Sequence, residues 1–587
     1  MCKSDHGIFS EGKFMSILDK SSLVMIPSGY KEDKLYSVKP RNGDGDFTFT
    51  RASTGTRVNS EGYIEEVPWN IFTDSQDFNL WGKSTNVVLS NSYNSPINTN
   101  TAYAIGHDGT TAQYFITKNS VLVPAQNVTY SAYVKKGTKN WIILRVGGTC
   151  LQYMDIENFV LGSFVFAAPL SHSFEDVGNG WIRVSITVLG TGLSQNLNIY
   201  VAEGNGNPSV TGILGDKLLY VWGGQLVKGD APKPYIKTTN RLDIPRLDYS
   251  GGATRPTLLL EGQRTNLVTY SEQLDSNTKL NVVVISNDII SPDGTQDADK
   301  LETTSNNSYK LLKTNSVSFV SGTDYTFSFY AKKGTTDFIQ LITTNTLFGA
   351  TSEWANFDLN NGVVSLDNYG GASIEDIGDG WYRCKMTSTC VSSGTDGWYV
   401  SVITSGTSTR AETTTNVVDV YVWGLQVETG SYPTSYIPTR GTSVTRTNDK
   451  LPSQILATPL TTEGTIFIDF AKITQGNANY GFLNLSNQNS YKFYFYGGGM
   501  DVYNNAAFIV NRATLEPNNS KVAVSWNGTD VKVYINGNDR TKSGAVASLN
   551  NTEKISFNDT SDICNMKAII LFSEQLTDTE LATLTTI

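Results

Sequence analysis

FEDVGNGWIR, from Phe174 to Arg183, returns about 200 residues later as IEDIGDGWYR, from Ile374 to Arg383. Two other pairs of segments keep nearly the same spacing: YVKKGT from Tyr133 with YAKKGT from Tyr330, and YVWGGQLVKG from Tyr220 with YVWGLQVETG from Tyr421. Solenoid and propeller repeats have periods of about 20–50 residues, so a repeat of this length indicates a duplicated domain. The sequence therefore predicts two related modules, a first module at 51–243 and a second module at 244–447.

Both modules consist of short segments rich in β-branched and aromatic residues, separated by glycine, asparagine and aspartate. Examples are VTYSAYV from Val128 in the first module and DVYVWG from Asp419 in the second. Short strands that alternate with turns are typical of β-sandwiches and jelly rolls. We therefore predict an all-β fold with one jelly roll in each module.

The repeated residues are explained by the fold alone. In the EDxGxGW segments, Asp176 and Asp376 are expected to accept hydrogen bonds from N–H groups of a hairpin turn. A residue shared by two modules that need not bind the same molecule is expected to serve the fold. Four tryptophans at matched positions are therefore expected to be core residues: Trp181, Trp222, Trp381 and Trp423.

A different pattern begins after the second module and predicts a third all-β domain at 452–587. VAVSWNGTDVKVYING, from Val522 to Gly537, places Asn527-Gly528 between two alternating strands, which is the strongest short signal for a β-hairpin. Gly497 to Gly499 also lie between two strand-like segments and predict a second hairpin turn. Thr577 and Glu580 have the spacing of a capping box and predict the start of a short helix.

Residues 1–50 match neither repeat and are too few to bury a core alone. They are expected to dock on another surface, either that of a partner protein or that of a symmetry-related copy. The chain has no apolar run near the ~20 residues of a membrane span and no N-terminal signal-peptide pattern, so we expect folding in a cytosol without membrane insertion. Its net charge of −10, with no cluster of Lys or Arg, excludes nucleic acid as a partner. The five scattered cysteines are expected to be buried or isolated thiols.

Several motifs resemble known families. FTRASTGTRVNSEGYIEEVPWN from Phe49, RLDYSGGATRPTLLLEGQRTNLVTYSEQ from Arg246 and the repeated EDxGxGW and YVWGxQ segments resemble the carbohydrate-binding-module-like jelly rolls of phage head spike and head fibre proteins. LVMIPSGYKEDKLYSVKP from Leu23 looks like the leader that precedes such modules in crAss-like and related podovirus groups. The segment from Val522 to Gly537 and the tail ILFSEQLTDTELATL are similar to concanavalin A-like and laminin G-like lectin sandwiches.

The resemblance implies a virion-surface head fibre or spike, assembled in the cytoplasm of the bacterial host and trimeric. An anchoring segment at 1–50 would attach it to capsid or tail proteins, the two jelly rolls would form a stalk, and the lectin-like sandwich would bind host-surface or mucus glycans. The motifs do not distinguish head from tail attachment. The alternative is a tail fibre or tailspike receptor-binding protein with polysaccharide-degrading activity, and a capsid decoration that binds nothing outside the particle is a further possibility.

The sequence favours a non-enzymatic protein. The histidines His6, His107 and His172 lie in three separate contexts, so they form no catalytic triad by spacing. The acidic pairs Glu175/Asp176 and Glu375/Asp376 occupy turns, where adjacent side chains point apart, so neither pair predicts the two facing carboxylates of a glycosidase. No cofactor is expected. A structural Ca²⁺ ion stays open, with Asp501, Asp530 and Asp539 available, because no loop has a distinctive ligand spacing.

Aromatic residues that break the repeat are the candidate sugar contacts. Trp354 and Trp398 have no aromatic counterpart in the first module, and Trp398 and Tyr399 must point to opposite faces if they lie on one strand. In the third domain Tyr494 and Tyr496 share a face with Lys492, opposite the apolar face of the same strand. Flat aromatic faces beside hydrogen-bonding groups suit sugar rings. Surface packing or contact between subunits is the alternative for these four residues.

Overall fold

The structure is a computed structural model of the 587-residue chain. It describes residues 17–31, 33–124, 126–240, 242–344, 346–349, 353–460, 462–474, 480–485, 491–496, 499–503, 510, 513–514, 518–543, 552–557 and 563–587. Two compact units divide the chain: one comprises 67–242 with 294–297, and the other comprises 1–66, 243–293 and 298–587.

The described residues are almost entirely β-structure, which confirms the predicted all-β fold class. The α-helix Asp578–Thr585 and the short 3-10 helices Phe78–Leu80, Ser250–Gly252 and Leu274–Ser276 are the helical elements with assigned bounds. In the part of the chain that the structure describes, no helix has both the length and the apolar character needed to cross a membrane.

The first module is a sandwich of two sheets. Its front sheet contains, in spatial order, Val160–Phe166, Cys150–Asp155, Trp141–Val146, Ser194–Ala202, Ala112–Leu122 and Ser209–Val210, with Gly82–Lys83 also paired to Ala112–Leu122. Its back sheet contains Ser171–Gly178, Trp181–Leu189, Asn127–Lys136, Lys217–Lys228, Ala102–Gly106 and Val88–Tyr93. The apolar residues between the sheets form one continuous core.

The second module repeats this architecture. Its front sheet contains Thr278–Leu280, Leu311–Lys313, Tyr399–Ile403, Phe338–Ile342, Trp354–Asp358 and Val363–Asp367. Its back sheet contains Val282–Ile290, Gln296–Thr303, Asp419–Thr429, Asp324–Lys333, Trp381–Thr389 and Ala372–Gly378. Two short pairs flank these sheets: Ser308–Tyr309 with Thr413–Thr414, and Val317–Phe319 with Gly394–Asp396.

The C-terminal sandwich also has two sheets. One contains Arg246–Asp248, Thr257–Leu260, Ile563–Phe572, Glu463–Thr474, Asn518–Asn527, Asp530–Ile535 and Asn538–Asp539, with Ser21–Met25 paired to Ile563–Phe572. The other contains Leu451–Leu460, Thr552–Phe557, Tyr480–Leu485, Tyr491–Tyr496, Gly499–Tyr503 and Ala513–Thr514. The remaining strands are Tyr30–Lys31, Lys34–Leu35 and Phe47–Thr48 in one small sheet, the pair Gly55–Val58 with Ile64–Val67, and the pair Arg264–Asn266 with Val444–Arg446.

The C-terminal sandwich uses segments that the sequence analysis assigned elsewhere. Ser21–Met25 belongs to the segment expected to dock on a partner or on another copy, yet it pairs with Ile563–Phe572 of its own chain. Thr257–Leu260, predicted as part of the second module, pairs with the same strand. Leu23, Met25 and Leu258 are buried in the sandwich core, so burial of apolar surface explains both recruitments.

Local turn and helix predictions are confirmed. Asn527 and Asp530 are paired across the predicted hairpin, and Tyr491–Tyr496 pairs antiparallel with Gly499–Tyr503, as expected for the second hairpin. The Thr577 side chain accepts from the N–H of Glu580, whose carboxylate accepts from the N–H of Thr577. Four of the five cysteines are buried free thiols: Cys150, Cys384, Cys390 and Cys564. Cys2 and His6 lie outside the described residues.

Matched hydrogen bonds account for the repeated sequence. Asp176 and Asp376 each accept from the N–H two residues later, at 2.9 and 2.8 Å, as predicted. The side-chain amides of Asn70 and Asn266 each donate to two backbone carbonyls, at 3.2 and 3.0 Å in the first module and at 3.1 and 2.9 Å in the second. The two modules thus share individual hydrogen bonds as well as strand order.

The YVWG segments contain a bulge that requires glycine. Pairing between Asp324–Lys333 and Asp419–Thr429 shifts register next to Tyr330, and Gly424 lies there with a φ of +65°. A Cβ at Gly424 would meet Tyr330 Cδ2 at 2.8 Å. The same shift occurs in the first module, where Gly223 has a φ of +59°. The bulge lets Tyr330 pack against Trp423 on the outer face of the back sheet, the face turned away from the module core. All four repeated tryptophans are buried, as predicted.

Replacing Gly424 with alanine should destabilise the second module for two separable reasons. A left-handed φ costs an L-residue about 1–2 kcal/mol, and the added methyl would also crowd Tyr330. Gly322→Ala is the matched control, because Gly322 has a φ of +79° with no atom within 4 Å of the new Cβ. Urea unfolding should show a larger loss for Gly424→Ala than for Gly322→Ala, and equal losses would contradict the role assigned to the Tyr330 contact.

Candidate functional site

A cavity of about 560 Å³ opens on the outer face of the second module's back sheet. Its walls come from three places in the chain: Gly55–Val58 with Ile64, strand Arg246–Asp248 with nearby connecting residues, and the back sheet with the loop 431–436. Aromatic, apolar and charged side chains all reach it. We define this space, which lies wholly in one compact unit, as the back-sheet cavity.

Two neighbouring strands form the charged wall of the cavity. Because side chains alternate along a strand, Ser373 and Glu375 of one strand and Arg383 and Lys385 of the other share a face. Glu375 is the cross-strand neighbour of Arg383, yet it binds Lys385, with 2.8 Å between Glu375 Oε2 and Lys385 Nζ.

Three largely buried tyrosines line part of the cavity, with exposed fractions of 3%, 7% and 3%: Tyr330, Tyr432 and Tyr436. The Arg383 guanidinium lies over the Tyr330 ring, 5.4 Å from its centroid. The Tyr436 ring packs 4.5 Å from the ring of Trp423, and its hydroxyl is 2.7 Å from the Ser271 hydroxyl. These contacts hold the aromatic surface in one place.

Glu261, at the floor of the cavity, belongs to a buried network of charges. Glu261, which lines the cavity, accepts from Arg246 Nη1 at 2.6 Å and from Arg446 Nη1. It also accepts from the Ser435 hydroxyl at 2.6 Å, which fixes the start of the Ser435–Tyr436 wall. Asp449 accepts from Arg246 Nη2 and, at 2.9 Å, from Arg51 Nη1. We call these three arginines and two carboxylates the arginine network.

The charged states in this network follow from its contacts. Burial alone would raise the pKa of Glu261, but Arg446 and Arg246 outweigh it and hold the pKa of Glu261 well below its usual range. Burial lowers the pKa of Arg51 to about 10 despite the attraction of Asp449. Three guanidiniums thus share two carboxylates, and the Nη2 atom of Arg51 has no hydrogen-bond partner among the residues that the structure describes.

A second side of the cavity is held by hydrogen bonds to one carboxylate. Asp248 Oδ1 accepts from the N–H of Val58 at 2.8 Å, and Oδ2 accepts from the Ser250 hydroxyl at 2.5 Å and from Asn565 Nδ2 at 3.2 Å. Arg57 pairs with Glu65, with 2.9 Å between Arg57 Nη2 and Glu65 Oε1. These bonds tie strand Gly55–Val58 to strand Arg246–Asp248 and to strand Ile64–Val67 at this side of the cavity.

Of the residues predicted as sugar contacts, Trp354 and Trp398 do not line this cavity. Trp398 has no exposed surface and packs in the module core, 5.7 Å from the ring of Phe327. It therefore offers no face to a ligand, and its prediction as a glycan contact is corrected: the aromatic core around it needs the large ring. Tyr399 is half-buried on the opposite face, as the alternation of the strand predicted.

The other three predicted contacts have different outcomes. Trp354 is half-buried on the outer face of the front sheet, packed with Leu311 and Ile342, and glycan contact there stays a prediction. Tyr494 and Tyr496 lie in strand Tyr491–Tyr496, but their side chains are outside the described part of the structure. The sequence analysis missed Arg383, Lys385 and Tyr432, because the cavity joins segments that are far apart in the chain.

Within the described residues, no group of three or more His, Cys, Asp or Glu side chains has a metal-binding arrangement. Of the three aspartates considered for Ca²⁺, Asp530 accepts from Gln575 Nε2 at 2.9 Å, and Asp539 accepts from the N–H of Thr541 at 2.8 Å. The side chain of Asp501 lies outside the described part. The possible structural Ca²⁺ ion stays a prediction.

Glu353 and Asp299 are among the buried carboxyls outside the cavity whose pKa values are raised. Burial raises the pKa of Glu353 to about 7, against the opposing effect of a hydrogen bond from the Ser388 hydroxyl. Burial also raises the pKa of Asp299 to about 6, although it accepts from the N–H groups of Asn287 and Leu274. Neither lines the back-sheet cavity, so neither can act as an acid on a molecule bound there.

Comparison with known proteins gives only distant likeness. No protein-family model matches the sequence, and no curated protein matches it significantly. The N-terminal CBM22-1–CBM22-2 tandem domain of Xyn10C from Paenibacillus barcinonensis is 13% identical, with coverage of 61% of this chain and 97% of that chain and a TM-score of 0.20. Trypanosoma rangeli sialidase is 10% identical, with coverage of 91% and 98% and a TM-score of 0.19. At these values neither likeness bears on the function of this chain.

Replacing Asp449 with asparagine should strongly destabilise the arginine network. The change leaves the buried Arg51 guanidinium without a carboxylate and removes one of the two that Arg246 binds, and breaking a buried ion pair typically costs about 3–5 kcal/mol. Lys333→Met is the control, because Lys333 and Asp337 form a half-exposed pair 3.7 Å apart, and such pairs contribute about 0–1 kcal/mol. Urea unfolding measures both variants. A loss for Asp449→Asn no larger than that of the control would contradict the importance of the network.

Replacing Glu353 with glutamine should make stability less sensitive to pH. A carboxyl with a raised folded pKa destabilises the fold increasingly as pH rises from its ordinary 4.5 to about 7, because the unfolded chain ionises first. Glutamine cannot ionise, so the variant should gain stability relative to the parent chain across this window. Unfolding midpoints measured at its two ends test this, and a difference that does not change with pH would refute it.

Proposed function

We propose that this chain is a non-enzymatic, glycan-binding protein of a virion surface, and that the back-sheet cavity is a binding site. The cavity is the observation that carries the proposal. It combines the largely buried rings of Tyr330, Tyr432 and Tyr436 with charged and hydroxyl side chains. Sugars present apolar C–H faces and polar edges, so a site of this composition suits them.

The way the cavity is held supports binding in a preformed site. Glu261, Asp248 and Tyr436 form hydrogen bonds within the protein that fix their positions. A ligand that enters a preformed site orders few protein groups, so little of the binding free energy is lost to that ordering. Multiple copies on one particle would raise the strength of attachment beyond the affinity of one site.

The larger assembly is part of the same proposal. The resemblance of the repeated module to phage head fibre and head spike modules supports a fibre or spike that decorates the capsid of a bacteriophage. We propose that it is a homotrimer, bound to capsid or tail proteins through its N-terminal segment, with host-surface or mucus glycans as its outer partners. The duplicated module supports a spacer role, since a second sandwich extends the chain.

The carboxylates of the cavity favour binding over cleavage. Glycosidases need one carboxyl that is protonated and a second that is free to act on the sugar or on water. Glu261 is held ionised by Arg446 and Arg246, and Glu375 is paired with Lys385. A polysaccharide-degrading tailspike would require such an acid in reach of the ligand.

Blocking the cavity should abolish glycan binding by the full chain. Ser373 is exposed and lines the cavity, so Ser373→Trp should fill it without disturbing the core. Val363→Trp is the matched control, because Val363 is exposed on the front sheet and does not line the cavity. An array of host-surface and mucin glycans should bind the parent chain and the control but not Ser373→Trp. Absence of binding by the parent chain, or equal binding by both variants, would refute the proposed site.

A further inference from the structure

The two modules bury an arginine at the same position of the back sheet. Arg183 lies over the Tyr133 ring at 5.3 Å, and Arg383 lies over the Tyr330 ring at 5.4 Å. Each also donates from Nη2 to a serine hydroxyl, at 3.4 Å in the first module and 3.1 Å in the second. Within the described part of the chain, neither Nε atom has a hydrogen-bond partner. In these contacts the surroundings of the two arginines are alike.

Arg183 and Arg383 differ in one strong hydrogen-bond acceptor, which only Arg183 has. In the first module, Arg183 Nη2 donates to the backbone carbonyl of Lys233 at 2.6 Å, and Gln225 Nε2 donates to the same carbonyl at 2.9 Å. In the second module the residue in the place of Lys233 is Thr434. Arg383 makes no hydrogen bond to it, and Ser328 is the partner that Arg383 Nη2 retains.

A single buried carboxylate explains the difference. Glu428 occupies the position of Val227 in the repeat. It accepts from the Thr434 N–H at 2.9 Å and from the Thr434 hydroxyl at 2.5 Å, and it also accepts from Gln426 Nε2 at 2.7 Å. The glutamine that bonds the loop carbonyl in the first module thus bonds Glu428 in the second, and the loop is held by a side chain instead.

Arg383 is consequently a buried cation without an anion of its own. Its exposed fraction is 8%, it lines the back-sheet cavity, and in the described part of the chain it forms no ion pair. Its cross-strand neighbour Glu375 binds Lys385, and the buried Glu428 binds Thr434 and Gln426. Lys385 is itself a second difference between the modules, because its counterpart is Ser185. A buried charge that lacks a counter-charge is costly, so an anion from outside would be favoured here.

We infer that the ligand of the back-sheet cavity is an acidic sugar, whose carboxylate binds Arg383 and Lys385 while its ring contacts the tyrosine surface. This inference rests on the proposed glycan-binding function and specifies its ligand class. Guanidinium and carboxylate form strong charge-assisted hydrogen bonds, which makes Arg383 the main determinant of the preference. The negative charge of Glu375 repels the carboxylate of the ligand and so limits the affinity.

The direct test compares acids with their own methyl esters. Sialylated and uronate-containing glycans are arrayed in both forms and probed with the full chain, since esterification removes the charge and keeps the sugar. At least one acid should bind about tenfold more tightly than its ester, as expected for a hydrogen bond between charged groups. Equal binding of acids and esters would overturn the inference and leave glycan binding intact. Binding of neither form would overturn both proposals.

Matched variants separate the roles of the residues. Arg383→Met should remove the preference for the acid, whereas Arg183→Met, the same change in the first module, should leave it unchanged. Glu375→Gln removes the opposing charge and should tighten binding of the acid severalfold, a gain that misfolding cannot produce. A polyglutamate peptide is the final arm: binding as tight as that of the acidic glycan would overturn the assignment to a sugar.

Discussion

The arginine network is the constraint on which the architecture depends. Asp449 and Glu261 hold Arg51, Arg246 and Arg446, so two carboxylates connect chain segments that are up to about 400 residues apart. Such a network adds little net stability compared with apolar packing, because desolvating five charges is costly. The network instead fixes the relative positions of the segments that carry these residues. Each of its buried guanidiniums must lie against a carboxylate, so other arrangements of the segments are disfavoured. The cavity floor is one product of that positioning, since Glu261 also fixes Ser435.

What the sequence predicted well is local. The aspartate of each EDxGxGW turn accepts from an N–H two residues away, the Thr577 capping box spans four residues, and Asn527-Gly528 lies within one hairpin. These features depend on neighbours along the chain, and the internal repeat identified the structural tryptophans. Arg51 and Asp449 could not be paired in the same way, because nothing in the sequence says which distant carboxylate meets a given arginine. The recruitment of Ser21–Met25 into the last sheet was missed for the same reason.

One difference between the two modules led to a wrong prediction. Aromatic residues present in one copy were expected at the surface, yet Trp398 fills the second module's core. The informative difference was polar: Glu428 stands where the first module has Val227, at a buried strand position. A buried carboxylate needs hydrogen-bond donors. Glu428 accepts from Thr434, which lies in the loop whose counterpart in the first module binds Arg183.

Strand Ile563–Phe572 has one further implication, for biosynthesis. One of its edges is shared by Ser21–Met25 and Thr257–Leu260, and the other is occupied by Glu463–Thr474. Ile563–Phe572 follows both of these edge partners in the sequence, Ser21–Met25 by about 540 residues and Thr257–Leu260 by about 300, so neither can form these hydrogen bonds until Ile563–Phe572 has been synthesised. Contacts of such long sequence separation form slowly, and exposed strand edges invite aggregation. The pairing of Ser21–Met25 and Thr257–Leu260 with Ile563–Phe572 is therefore expected to form late in folding.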